Sequence, residues 1–511
     1  MDLELKKETL EYYEFRARSS ELREESAETI VPDYCPDISR VLFAGWTAAA
    51  DVCELSGNRA SISGTAQINV LYLPDGERGV RALSVGIPFS VAAENPGWEG
   101  CGRLLADVRL VSAEAKCLNP RKIFTRVTVC AEICGVAAVT AEVCCNTGEG
   151  ARVEKKMRTD SASFISSVTE KEFTYVDEIA VSSGKEPIAE LLTWSARTSV
   201  QEARRMGAKI VVKGVLRADF LYRSEDGALC SASGEMRISQ IMEAGGGSEE
   251  AMCSAELFVC GAEVNMGGEN DPSSRRMITA KFKMKARAYL RDTREITYLC
   301  DAYSTSYALS AKTSPLCYTR LSEQVARRQT VRDVIESGTT VKNVLYCGVE
   351  CGAPAMEREG ASLTLKAPLN VHIIFTDEND TPSSVERRME ASCMLEEPEN
   401  IVCTATAECC DEVYAAAVSD GIEARIPVDF IITAEDIRRE LCISAISVDT
   451  ATPADTSKLP SVVLRRPEKD ETLWDIAKRN RTTVEEICAA NTITDSGAPL
   501  DGSLLLIPRK R

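Results

Sequence analysis

The feature that most constrains this chain is a strand-like pattern that recurs three times at a long interval. Ile62, Gly64, Ala66, Ile68, Val70 and Tyr72 alternate with Ser63, Thr65, Gln67 and Asn69, the period of a half-buried strand. The series returns as Val212, Gly214, Leu216, Ala218, Phe220 and Tyr222, 150 residues on. It returns again as Leu365, Ala367, Leu369, Val371, Ile373 and Phe375, a further 153 residues on. Each copy ends on an aromatic and then meets turn residues: Pro74-Asp75-Gly76, Glu225-Asp226-Gly227 and Asp377-Glu378-Asn379-Asp380. A second turn follows 44, 45 and 42 residues later, at Asn119-Pro120, Asn270-Asp271-Pro272 and Ser419-Asp420-Gly421. Strand-like runs begin after each, at Ile123–Ile133, Met277–Tyr289 and Ile422–Ile432.

Three short patterns with i, i+3, i+4 spacing precede these strands: Ile38, Val41, Leu42; Ile188, Leu191, Leu192; and Val331, Val334, Ile335. That spacing predicts one turn of helix ahead of each unit, and Pro36 and Pro187 suit the first two openings. The fold class expected is mainly β with short helices, three β-rich repeats in series over 28–155, 165–312 and 315–450. Residues 449–460, rich in Thr, Pro and Asp, read as a linker to a fourth domain at 461–511.

That last segment predicts strand, helix, helix, strand. Val462–Arg465 opens it; Thr472 with Asp475, and Thr483 with Glu486, carry the spacing of helix-capping boxes. Leu473, Ile476 and Ala477 form one inward face, Val484, Ile487 and Cys488 the other, and Leu504–Ile507 closes the sheet before Pro508. Trp474, next to Leu473, is a candidate partner anchor or a rim residue of the small core.

Charge and residue usage exclude several functions. The net charge of −18 repels phosphate backbones, so no nucleic-acid partner is expected. His372 is the one histidine, and its place on the polar side of its strand, matching Asn69 and Asp219, reads as a surface residue. Acidic pairs such as Glu249-Glu250 and Glu396-Glu397 read as solvated loop charge, and Gly245-Gly246-Gly247 as a flexible hairpin end. The 21 cysteines lack the spacing of zinc knuckles and read as small apolar side chains. No catalytic residue, metal site or cofactor emerges. Met1–Lys7 has no signal-peptide core and no stretch reaches membrane-spanning length, so synthesis in the cytoplasm with no membrane span is expected.

Two family resemblances follow. Val31-Pro32-Asp33-Tyr34-Cys35-Pro36-Asp37-Ile38, Val70-Leu71-Tyr72 and Leu118-Asn119-Pro120-Arg121-Lys122-Ile123 resemble the SPOCS domain of spore-coat-associated proteins. The other two units lack the Val-Pro-Asp and Asn-Pro-Arg-Lys strings. Asp470-Glu471-Thr472-Leu473-Trp474-Asp475-Ile476-Ala477, Thr483-Val484, Asn491 and Gly502-Ser503-Leu504-Leu505-Leu506-Ile507-Pro508 resemble a LysM domain, with Asp470 and Glu471 where that family has Gly-Asp. The second resemblance implies an N-acetylglucosamine groove at Asp470, Glu471, Thr472, Leu473, Asn491, Thr492 and Ile493. The combination resembles the spore-coat morphogenetic family that pairs the two domains. It implies a non-enzymatic scaffold in the mother-cell cytoplasm at the forespore surface, tethering the coat's basement-layer ATPase and other coat proteins. The alternative is a peptidoglycan-binding protein of cortex or wall.

Overall fold

The computed structural model describes residues 2–76, 79–148, 152–267, 274–409, 411–453, 460–468, 471–494 and 504–509. It is mostly β. The first unit runs β1 (Leu5–Ile30), β2 (Ile38–Ser56), β3 (Arg59–Pro74), β4 (Arg81–Glu94), β5 (Arg103–Asn119) and β6 (Lys122–Thr147). The second repeats it as β7 (Val153–Ala180), β8 (Ile188–Met206), β9 (Lys209–Ser224), β10 (Leu229–Glu243), β11 (Met252–Met266) and β12 (Met277–Ser304). In the third, β13 (Tyr307–Ile335) is followed by β14 (Val341–Cys351), β15 (Ala355–Glu359), β16 (Ser362–Asp377), β17 (Pro382–Glu396), β18 (Ile401–Glu408), β19 (Tyr414–Val418) and β20 (Gly421–Pro453). The three series of alternating residues are thus the central strands β3, β9 and β16 of small antiparallel sheets. Of the six expected turns, five lie where the sequence puts them; Asn270-Asp271-Pro272 falls outside the described residues.

Each unit is a sandwich wedded to a ribbon. Its first and last strands pair over their full lengths, β1 with β6, β7 with β12 and β13 with β20. These long opening strands begin well before the expected limits: positions 28, 165 and 315 all fall inside them. One half of each ribbon, widened by a further strand, packs on the unit's own small sheet. In the first unit Ile62, Ala66, Ile68 and Val70 meet Ile123, Val127, Val129 and Ala131 there, all fully buried. The other halves of the three ribbons meet each other. Leu10, Val143, Phe164, Tyr298, Leu316 and Cys442 belong to that shared core, and single backbone bridges at Tyr13–Ile165 and Thr319–Ser163 stitch the ribbons together.

The outer faces of the small sheets meet as well. Leu71, Leu221 and Ile374 occupy the same repeat position on β3, β9 and β16, and all three are buried in one cluster. The units therefore surround a pseudo-threefold axis. Ion pairs cross the seams between them. Arg287 on β12, 3% exposed, holds Asp107 on β5 at 2.7 Å, with Lys285 at 3.0 Å. Arg217 on β9 holds Asp411 of the third unit at 3.0 Å.

Three expectations need correction. The helical turns are absent: Ile38, Val41 and Leu42 open β2, Ile188, Leu191 and Leu192 open β8, and Val331, Val334 and Ile335 end β13. The cause is a pair of β-bulges. The pairing slips between Ile38 and Arg40 and again between Val41 and Phe43, and at the same places in β8, between Ile188/Glu190 and Leu191/Thr193. The first extra residue puts Ile38 and Val41 on one face at a spacing of three, and Leu42, the second extra residue, turns to the other face. The third unit carries the same device at Val341, Val344 and Leu345 on β14, where slips fall at Val341/Asn343 and Val344/Tyr346.

His372 is not on the surface. It is 4% exposed, with Phe43 of the first unit 5.3 Å away, ring to ring. A strand's polar side faces solvent only if no second layer covers it, and here the neighbouring unit does. Burial lowers the imidazole's pKa to about 4. The glycine run is not loose either. Arg205 donates to the carbonyls of Gly246 and Ser248, and Ser248 bonds Asp292.

The cysteines divide. Cys130, Cys144, Cys393, Cys403, Cys409 and Cys442 are buried, whereas Cys53, Cys117 and Cys317 are exposed. Burial pushes the Cys347 and Cys351 thiols up to about 12, which makes them poor nucleophiles.

Candidate functional site: the C-terminal module and its seat

The C-terminal module is built by its helix caps. β21 (Val462–Arg465) pairs antiparallel with β22 (Leu505–Pro508), and two helices lie between them, α1 (Leu473–Asn480) and α2 (Val484–Asn491). Both capping boxes close as the spacing requires. Thr472 accepts from the Asp475 amide while Asp475 accepts from the Thr472 amide, and Thr483 and Glu486 repeat the exchange. The Thr472 hydrogen bonds hold the Asp475 carboxyl below its ordinary range. Leu473, Ile476, Ala477, Ile487, Leu505 and Ile507 form the core, with Val484 and Cys488 packed on its edge.

The residues expected to line a sugar groove have structural work of their own. Asp470 lies outside the described residues. Glu471 is sunk, its side chain 6% exposed, and pairs with Arg465 at 3.0 Å and Arg479 at 2.9 Å. Thr472 caps α1, and Leu473 is core. Asn491 locks the end of α2 to β22: its amide nitrogen donates to the carbonyls of Ile487 and Leu506, and its oxygen accepts from the Leu506 amide. Thr492 takes the left-handed conformation (φ 57°) that ends α2. Ile493 packs on the core edge, its amide bonded to Cys488. The structure brings the described members of this set to two adjoining loops, where Thr472 and Thr492 remain exposed.

Trp474 points elsewhere. Its indole Nε1 donates to Asp301 Oδ2 on β12 at 2.7 Å, and its ring meets Tyr303 edge-on at 4.9 Å. Lys478, one turn along α1, donates to both Asp301 oxygens at 2.7 and 2.8 Å. Tyr303 Oη donates to the Thr482 carbonyl at 2.7 Å, and the Tyr303 side chain enters the module's core. The Lys156 ammonium stands 5.9 Å from the Trp474 ring centre. Asp301 and Tyr303 escaped the sequence reading, which asked where the repeats agree and not where one of them departs.

The described residues hold no cluster of three or more His, Cys, Asp or Glu side chains placed for a metal ion. No helix is long and apolar enough to cross a membrane.

The class defined by this geometry is a three-repeat β body bearing a small βααβ module. Comparison with known families identifies the module: the LysM domain model matches residues 468–508. Curated proteins and solved structures give no match.

Proposed function

We propose that the protein is a non-enzymatic scaffold whose LysM module recognises N-acetylglucosamine-containing glycan, peptidoglycan being the class its family match supports. The observation that carries this reading is the module's geometry. Its two groove loops sit on a capped, closed βααβ core with Thr472 and Thr492 exposed, while Trp474, Lys478 and Thr482 bond the module to the body. The repeats supply a rigid mount whose polar residues pair across seams, an arrangement suited to holding and not to reacting.

The sequence likeness of the first unit to the SPOCS domain supports a setting in the spore coat, at the forespore surface on the mother-cell side. A second reading has the module tether the coat's basement-layer ATPase together with other coat proteins. Glu471 favours it: its carboxylate is committed to Arg465 and Arg479, which removes one polar group from the groove wall.

Titration of the full chain with N-acetylglucosamine oligomers, and separately with the coat ATPase, tests both. Saturable oligomer binding that vanishes in a chain ending at residue 460 supports the glycan reading. ATPase binding alone supports the tether, and binding to neither defeats the scaffold assignment for this module.

A further inference from the structure

The module's seat exists on only one of three equivalent strand ends. Near their outer ends the ribbons share a bulge, which leaves Cys145, Cys300 and Ser444 unpaired at matching places. The next residue is opposite a lysine in every unit: Lys6 faces Asn146, Lys156 faces Asp301, and Lys312 faces Ala445. Two residues further on stand Gly148, Tyr303 and Ser447. The lysine is common to all three units; the acid and the aromatic belong to the second alone. Those two side chains are the ones that hold the module.

We propose that Asp301 and Tyr303 form a latch that holds the LysM module on the second repeat, fixing the direction of its groove loops and covering Trp474. Asp301 is the centre of it, because one carboxylate accepts from both Trp474 and Lys478, side chains four residues apart on one face of α1. Tyr303 adds the bond to the turn between the helices. The clamp is reversible by construction. Asp301 and Lys478 keep 31% and 45% of their side-chain surface in water, so salt weakens their pairing. The tether between Pro453 and Pro460 keeps the local concentration of the module high, so a modest contact suffices to hold it.

Two consequences follow, and they rest on the module being the recognition element. Glycan reaches the loops while the module stays seated. A protein that grips Trp474 has to displace Asp301 and Tyr303 first, so the body competes with such a partner.

Backbone relaxation of the module's amides in the isotope-labelled full chain tests the latch without any ligand. In the native chain these amides are expected to tumble with the whole 55.6 kDa chain. Asp301→Lys is expected to narrow the module's lines severalfold while the body's spectrum stays unchanged. The charge swap Asp301→Lys with Lys478→Asp is expected to broaden them in part, since it restores the ion pair but not the Trp474 bond. Independent tumbling in the native chain, no change with Asp301→Lys, or no recovery in the swap overturns the latch. In a parallel arm, N-acetylglucosamine oligomers are expected to bind the native and Asp301→Lys chains with equal affinity. Unequal affinity refutes the statement that the loops stand clear. Failure to bind either chain defeats the glycan reading, while the relaxation result still decides the latch.

Discussion

Arg121 shows how much one residue of the first unit's signature explains. Its guanidinium donates to the carbonyls of Val31 and Cys35 and pairs with Asp33 and Asp37, so it ties together both ends of the Val31–Asp37 loop. Arg276 does the same in the second unit, reaching Ser182 and Lys185. The signature strings differ between the first two units while the arginine remains, and a string comparison does not see that; the third unit has Asp420 at that turn. His372 is the opposite case: its position was legible and its burial was not, since burial comes from a unit far away in sequence. Its folded pKa of about 4 lies below the unfolded 6.5. The neutral ring's contribution is therefore complete above pH 6.5, and it drains away as pH falls towards 4. Wild type should lose roughly 3 kcal/mol over that window that His372→Gln does not lose, read as the difference between their unfolding curves at each pH. Asn491→Ala should cost the LysM module about 1–3 kcal/mol, because two carbonyls and one amide lose their partner. The loss is measured as earlier melting of the module's amide signals, with the body's unmoved.

At the scale of elements, strands that alternate regularly were readable and strands that bulge were not. β3, β9 and β16 present one apolar face over six alternating positions, so a period of two was plain. The starts of β2 and β8 imitate helix spacing because each contains two bulges within five residues. Local sequence cannot distinguish the two, since a helix puts the three apolar side chains on one side and the bulged strand sends two to the unit's core and the third to the axis, with the same spacing; pairing to β3 or β9 decides. The bulge residues have a use. Leu192 is buried at the axis, and its counterparts Leu42 and Leu345 pack on the same cluster. Deleting Leu192 removes one bulge and takes a buried side chain out of the cluster at the axis, while Leu191 and Thr193 keep their partners on β9. That variant should melt earlier than wild type, because the axial cluster loses a buried leucine, whereas Leu192→Met, which keeps the length and most of the volume, should melt close to wild type. Circular dichroism melts of the full chains compare the two. The starts of the LysM module's helices were legible to the residue, because capping boxes are local and need no distant partner.

At the scale of the molecule, the repeat was legible but the closure of three repeats around an axis was not. The hint lay in Leu71, Leu221 and Ile374, apolar residues on the nominally polar side of the central strands. Leu221→Ala should cost about 2–5 kcal/mol, because units packed on three sides cannot collapse into the cavity. The seam between the first and second units depends on charge. Burial alone would raise the Asp107 carboxyl, but Arg287 and Lys285 bring it below its ordinary range. Asp107→Ala should cost about 3 kcal/mol, since Arg287 then sits buried among fewer counter-charges. Its folded pKa is depressed, so the stabilisation it gives holds above the carboxylate's unfolded pKa and fades as acid is added. A thermal melt of Asp107→Ala should accordingly approach that of wild type at low pH.

The inequality of the three strand ends has a consequence for counting and for direction. A ring of three identical chains would offer three equivalent berths; this single chain, with Asp301 and Tyr303 on one ribbon only, offers one. Each body thus carries its LysM module at one place, and the near-threefold arrangement of the repeats acquires a direction. Bodies attached to a surface through that module would all be turned the same way towards it.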